Sequence, residues 1–220
     1  MCYANPRLAQ TGGTPCGFPG WFRVPVSTSG RIAPPLISGD PVSAKVKNLE
    51  PRKPPAKLDT PSDLANDGVR DIAQALNGIL ADSYALFLKT KNFHWHVSGP
   101  HFRDYHLLLE EQAVSIFAAT DDMAERVRKI GGVSLRSIGD IARRQTIEDN
   151  DEDFVPPLQM LRELLADNKK VAETMRKAHK LCDDKNDVAT ASMLEVWIDE
   201  AEKRTWFLFE ASREAQQSGH

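Results

Sequence analysis

The chain has 220 residues, 41% of them hydrophobic, and 28 basic side chains against 31 acidic ones, for a formal net charge of −3. This length and composition predict one globular domain with additional sequence, and the overall charge does not indicate a nucleic-acid or membrane partner. No apolar run approaches the roughly 18 residues of a membrane span, and the N-terminus lacks the layout of a secretory signal, so we expect a cytoplasmic protein. The three cysteines, Cys2, Cys16 and Cys182, form no CxxC pair and predict neither a zinc site nor a disulfide framework.

Residues 1–58 differ from the rest of the chain. They hold ten of the 14 prolines and carry a net charge of +6, which leaves −9 for the remainder. This composition predicts a disordered N-terminal tail, of which residues 1–42 could be a spacer or the product of a misassigned start. The basic part of the tail could merely keep the protein soluble, or it could bind DNA phosphates independently of sequence. Its basic residues are Lys45, Lys47, Arg52, Lys53 and Lys57.

Hydrophobic residues recur at helical spacing in four long segments of the predicted domain, residues 59–216, and no segment alternates like a strand. A long connection separates the second segment from the third. We therefore predict an all-α, ferritin-like four-helix bundle with a short helix in the crossover, followed by a disordered C-terminus over residues 217–220. The predicted helices run from Thr60 to about Val97, Phe102 to Ile130, Ile138 to Arg144, Pro156 to about Cys182, and Val188 to Phe209.

Two groups of side chains suggest metal chemistry. His94 and His106 flank the turn between the first two helices, and Asp121 and Glu125 lie one turn apart on the second. Imidazole and carboxylate together suit iron(II) and leave positions open for water or an oxidant. The alternative is that the two histidines only pack helices near a turn.

The spacing of these residues predicts a site shared between subunits. His106 and Asp121 are 15 residues apart, which is about 22 Å along a continuous helix. If all four side chains bind one metal, the histidines and the carboxylates must come from different chains, and a two-fold dimer would form two such sites. Ordinary di-iron bundles instead use Glu-x-x-His motifs, and no such motif occurs in this chain.

The stretch from Leu88 to Pro100, LKTKNFHWHVSGP, followed by His106 and then Asp121-x-x-x-Glu125-Arg126, resembles the signature of the Dps family of mini-ferritins. The resemblance extends over about residues 60–213. It implies ferroxidase ligands at His94, His106, Asp121 and Glu125, on sites built across a dimer interface. It also implies a hollow shell of twelve subunits that oxidises iron(II), often with hydrogen peroxide.

Further roles follow only from this resemblance. Glu110 and Glu111 match acidic positions that bind or nucleate iron, and Glu110 could contact the metal, although both could simply be solvated. Asp183, Asp184 and Asp187 fall where relatives line pores for iron, although the cluster could also be an ordinary turn between helices. Ser192 stands where some relatives have a pore aspartate. His96 is expected to be structural or to support a ligand, and Trp95 to pack at an interface or donate electrons.

Two functions from different classes remain open. The first is an enzyme, a ferroxidase that stores iron in a homo-oligomeric cage and protects DNA from oxidative damage. The alternative is a nucleoid-compacting, sequence-independent DNA-binding protein whose iron site is weak or structural. The intact ligand set favours the first, and the basic tail supports the second.

Overall fold

The computed structural model describes Leu58 and residues 60–213, so nearly all of the predicted tail and the predicted C-terminus over 217–220 lie outside the described residues. The described part is all-α, with no β-strand. The predicted starts of the second and last helices are confirmed, the third long helix begins one residue later than predicted, and the short crossover helix is confirmed at both ends. The five helices are α1 (Asn66–His96), α2 (Phe102–Lys129), α3 (Ile138–Arg144), α4 (Pro157–Asp184) and α5 (Val188–Ala211).

The four long helices form two hairpins that pack together. The short turn after α1 returns the chain along α2, and the short turn after α4 returns it along α5. α1 also packs against α4, and α2 against α5, while the short α3 lies on α1. Since the long connection between α2 and α4 joins the two hairpins, the predicted ferritin-like bundle with a crossover is confirmed.

The first helix begins later than predicted. Residues from Thr60 onward were expected to be helical, but α1 begins at Asn66. The Ser62 hydroxyl instead accepts a hydrogen bond from the Leu64 backbone N–H at 3.2 Å, which forms a local turn. Such a side chain competes with the helix for its own backbone, and the Pro–Ser–Asp sequence favours both arrangements. The predicted start was therefore wrong by about one and a half turns.

Glycines lie at both ends of the hairpin that α1 and α2 form. At the end of α2, a Cβ built on Gly132 would lie only 2.6 Å from the Ala73 Cβ, so a larger residue does not fit there. Gly131 beside it has a φ of +91°, a left-handed conformation that ends the helix. At the other end, Gly99 in the connecting turn has a φ of +100°. Gly132 thus allows α1 and α2 to approach closely at one end, and Gly99 allows the turn that joins them at the other.

Two buried side chains of α1, Asp82 and Lys89, hold the loop of the crossover in place. The buried Asp82 carboxylate accepts hydrogen bonds from the backbone N–H and hydroxyl of Thr146, the latter at 2.9 Å, and from the Ile147 N–H at 3.2 Å. Two turns along, the Lys89 ammonium donates to the Glu148 carbonyl at 3.1 Å. These bonds anchor the loop after α3, because a buried carboxylate requires its donors.

A polar layer crosses the interior of the bundle. The buried Arg204 guanidinium on α5 donates to Asn168 Oδ1 on α4 at 2.8 Å and to Ser115 Oγ on α2 at 3.1 Å. Burial lowers the pKa of Arg204 to about 10, so the side chain remains charged at neutral pH. A fixed positive charge thus lies in the bundle interior, among α2, α4 and α5.

Two further expectations concern the membrane and the cysteines. Among the described residues, no helix is both long and apolar enough to cross a bilayer. Cys182 is buried and free, and burial raises the pKa of its thiol to about 12. The thiol is therefore protonated at neutral pH, which does not suit a metal ligand or a nucleophile.

Candidate metal centre

The two histidines of the predicted site meet where α1 ends and α2 begins. Their rings stack with centroids 3.8 Å apart and an interplanar angle of 24°. His94 is buried and His106 is partly buried. The hairpin turn brings them side by side, as the spacing on either side of Gly99 predicted.

Hydrogen bonds to backbone carbonyls place a hydrogen on Nδ1 of both rings. His94 Nδ1 donates to the His106 carbonyl oxygen at 2.8 Å, and His106 Nδ1 donates to the His94 carbonyl oxygen at 3.0 Å. A carbonyl can only accept, so each Nδ1 carries the hydrogen. In the neutral imidazole the lone pair is then on Nε2, the form in which histidine binds metals.

A carboxylate lies beside this pair. Glu110, one turn after His106, places Oε2 3.2 Å from His94 Nε2. The same oxygen accepts a short hydrogen bond from the Lys91 ammonium, and this bond lowers the pKa of Glu110. Glu110 therefore stays ionised beside the imidazole, as a predicted metal ligand requires.

The other two predicted ligands lie elsewhere in the chain. Asp121 and Glu125 are exposed, and Glu125 forms an ion pair with Lys129 at 3.0 Å. α2 is unbroken between His106 and Asp121, so the two residues are separated by about 22 Å. Among the described residues, no three potential ligands converge on a point that could hold a metal ion. A single chain therefore carries the two halves of the predicted site at opposite ends of one helix.

His106 and Asp121, one residue from each half, lie on the same stripe of α2. At about 100° of rotation per residue, His106 and Asp121 fall within about 60° of each other around the helix axis. Between them, Val114 and Phe117 leave 59% and 50% of their surface exposed. This surface has an apolar centre, a histidine at one end and a carboxylate at the other. A second copy turned by 180° would place each histidine opposite a carboxylate, so the surface is self-complementary.

Sequence reasoning missed one charged neighbour of the site. The Lys91 ammonium contacts Glu110 and also lies 5.9 Å from the centre of the Trp95 ring. The spacing of Lys91 and His94, three residues apart on α1, could have indicated a shared face. Trp95 is 59% exposed, which is compatible with the interface role expected of it. His96 is also exposed, and its Nδ1 donates to the Asn92 carbonyl at 2.8 Å.

The predicted pore carboxylates have two different environments. Asp183 and Asp184 are exposed, so their pore role remains an expectation. Asp187 is buried, accepts the Thr190 N–H at 3.0 Å as the N-cap of α5, and pairs with Arg126 at 2.5 Å. Its carboxylate is engaged by α5 and α2, so the pore expectation does not fit Asp187. Ser192 is exposed.

Comparison with known proteins agrees with this architecture. The family model of the ferritin-like domain matches residues 73–216. A DNA protection during starvation protein of Halobacterium salinarum is 34% identical over 136 residues, 62% of this chain and 75% of the relative. DNA protection during starvation protein 1 of Deinococcus radiodurans is 33% identical over 137 residues, which cover 62% of this chain and 66% of that relative.

Solved structures show the same likeness. An archaeal Dps homologue from Halobacterium salinarum superimposes with a TM-score of 0.69 and 28% identity, over 77% of this chain and 96% of the other. DpsC from Streptomyces coelicolor gives a TM-score of 0.69 and 27% identity, over 71% and 91% of the two chains. Fold and sequence together define a ferritin-like protein. Within that class, the chain belongs to the Dps family.

Proposed function

We propose that this protein is a ferroxidase that oxidises iron(II) with hydrogen peroxide and stores the iron(III) inside a hollow homo-oligomer. The assembly would be a dodecamer built from dimers, as the family resemblance implies. The observation that carries the proposal is that two imidazole Nε2 atoms meet where α1 ends and α2 begins, while two exposed carboxylates lie toward the other end of α2.

A two-fold axis completes the site. If two copies of α2 pair antiparallel about the middle of the stripe that His106 and Asp121 share, His106 of each chain approaches Asp121 of the other. Val114 and Phe117 would then be buried near the centre of the contact, where apolar surface contributes most. Two equivalent sites result, each with two histidines from one chain and two carboxylates from the other.

The ligand types suit the oxidation. The neutral imidazoles bind iron(II), while Asp121, Glu125 and Glu110 supply negative charge that stabilises iron(III). Each of two iron(II) ions gives one electron to hydrogen peroxide, whose O–O bond breaks to yield two hydroxides. Carboxylates such as Glu110 and Glu111, if they face the cavity, would hold the ferric product as mineral forms.

The test is anaerobic loading with iron(II), then stoichiometric peroxide, with ferric absorbance as the readout. Wild type is expected to oxidise iron rapidly, and the His94→Ala/Asp121→Ala variant at least about 100-fold more slowly, since even supporting residues of metal sites are worth 10–100-fold. His96→Ala is the matched control, because His96 is exposed and bonded to its own helix. Equal, slow oxidation in all three proteins would refute the ferroxidase.

DNA protection would follow in two ways. Consuming iron(II) and peroxide together removes the reactants that generate hydroxyl radicals, and two relatives are named for DNA protection during starvation. Direct, sequence-independent DNA binding is the second candidate function, since residues 1–58 carry a net +6. We propose that these residues form an arm outside a bundle domain of residues 59–216, and that many copies in a cytoplasmic, nucleoid-associated assembly add their phosphate contacts.

Neutralising the arm is expected to weaken DNA binding. The variant replaces five basic residues with glutamine in the full chain, and a gel shift is recorded at several salt concentrations. Wild type should lose affinity steeply with salt, and the variant should bind more weakly with a shallower salt dependence. Unchanged binding by the variant would exclude the arm as the DNA-binding element. The replaced residues are Lys45, Lys47, Arg52, Lys53 and Lys57.

A further inference from the structure

A small cavity lies inside the bundle, away from the proposed iron site. Its volume is about 40 Å³, which is enough for one or two molecules the size of water. Ser115 lines it and lies nine residues from His106, about 180° around α2, so the cavity faces away from the exposed stripe. All four long helices contribute to its wall, through Ser83, Ser115, Met123, Met175, Glu200 and Arg204.

One side of this wall is strongly polar. Arg204 brings a buried guanidinium with N–H donors, and one turn earlier Glu200 brings a carboxylate. Ser115 lies between them, donating to Glu200 Oε2 at 3.4 Å and accepting from Arg204. The Glu200 side chain is 41% exposed, so the wall includes a group that also contacts solvent. A small molecule that both donates and accepts hydrogen bonds fits this wall, and water and hydrogen peroxide share that property.

The other side carries two thioethers. Met123 and Met175 are 1% and 2% exposed, so bulk solvent does not reach them directly. Both nevertheless border the cavity, and the Ser83 hydroxyl lies 3.7 Å from the Met123 sulfur. The cavity is therefore lined both by methionine side chains and by Arg204.

We propose that hydrogen peroxide enters this cavity and oxidises Met123 and Met175 to their sulfoxides. The sulfur lone pair attacks one peroxide oxygen, so that an S–O bond forms and the O–O bond breaks. The thioether loses two electrons, and the departing oxygen takes the proton of the transferred one and leaves as water. The Arg204 guanidinium donates to the departing oxygen as negative charge develops on it. One charge-assisted hydrogen bond of this kind accelerates the step roughly tenfold.

This reaction is separate from iron oxidation and does not rest on the proposed ferroxidase. It consumes one peroxide per sulfur, requires no metal, and leaves a modification that methionine sulfoxide reductases can reverse. A sulfoxide is polar and larger than a thioether, so oxidation also loosens the packing among α1, α2 and α4. The extent of oxidation of the two methionines thus reports how much peroxide has reached the bundle interior.

The test treats the full-length, metal-free protein with hydrogen peroxide in the presence of a chelator and follows each methionine by peptide mass spectrometry. Met160 is the internal control, because it is also 2% exposed but does not line the cavity. Met123 and Met175 are expected to oxidise at least about ten times faster than Met160, the factor estimated for the guanidinium. Equal rates for the three methionines, or no oxidation of Met123 and Met175 while the protein is folded, would overturn the proposal.

A variant that fills the cavity provides a second test of the proposal. Ala119 lines the cavity, and Ala119→Val adds two methyl groups to it. The oxidation of Met123 and Met175 should then slow to the rate of Met160. If the substitution instead unfolds the bundle, the Met160 rate rises as well, so the two effects are distinguishable. Unchanged fast oxidation in a folded variant would show that the cavity is not the route.

Discussion

Mixed assemblies of His94→Ala and Asp121→Ala chains are expected to recover about a quarter of wild-type iron oxidation, although each variant alone is nearly inactive. In a two-fold dimer with one chain of each kind, one site combines both defects, and the other takes intact histidines from one chain and intact carboxylates from its partner. Random pairing makes half of the dimers mixed, so roughly one site in four is intact.

The measurement is the rate of peroxide-driven ferric absorbance after the two variants are co-expressed or unfolded and reassembled together. The matched control mixes His94→Ala with His106→Ala, whose defects lie in the same half of the site. No mixed dimer of that pair has an intact site, so activity should stay at the level of the single variants. Equal activity in the two mixtures would contradict a site divided between chains.

Replacing Asp82 with alanine is expected to lower the free energy of unfolding by roughly 3–5 kcal/mol, the cost of removing one partner from a buried charged network. The Asp82 carboxylate is 2% exposed and accepts bonds from Thr146 and Ile147. Without it, two backbone N–H groups and a hydroxyl lose their acceptor in the interior. The crossover should then detach from α1 more readily than the helices separate from one another.

Denaturant unfolding at a fixed protein concentration measures this change, since subunit assembly also contributes to stability. Asp82→Asn should lose less, because the amide oxygen can still accept one bond. Glu152→Ala in the same loop is the surface control, expected to change stability by no more than about 0.5 kcal/mol, because Glu152 is exposed. If Asp82→Ala were as stable as Glu152→Ala, this carboxylate would not anchor the crossover.

Local patterns in the sequence predicted most of the helices. The apolar periodicity and the Gly–Pro and Gly–Gly breaks set α2 from Phe102 and α3 over Ile138–Arg144, because helices of this length depend on a buried face and defined stops. The start of α1 was wrong because Thr60 and Ser62 suit a turn as well as a cap. Local sequence does not decide between these two arrangements.

The site was predictable where it depended on spacing and not where it depended on contacts between distant parts of the chain. Spacing placed His94 beside His106 and separated them from Asp121. The contact of Lys91 with Glu110 and the engagement of Asp187 by Arg126 join different helices. Such pairs produce no periodic signal, so only the packed structure shows them.

Gly132 has a consequence for metal affinity. Its backbone approach to α1 and the turn at Gly99 stop the two helices from sliding past each other, and a slip of one turn would move His94 about 5.4 Å from His106. The conformational entropy of ordering the two rings is therefore lost when the chain folds rather than when iron arrives. A substitution at Gly132, at the opposite end of the hairpin from His94 and His106, would weaken iron binding at the proposed site by restoring that freedom.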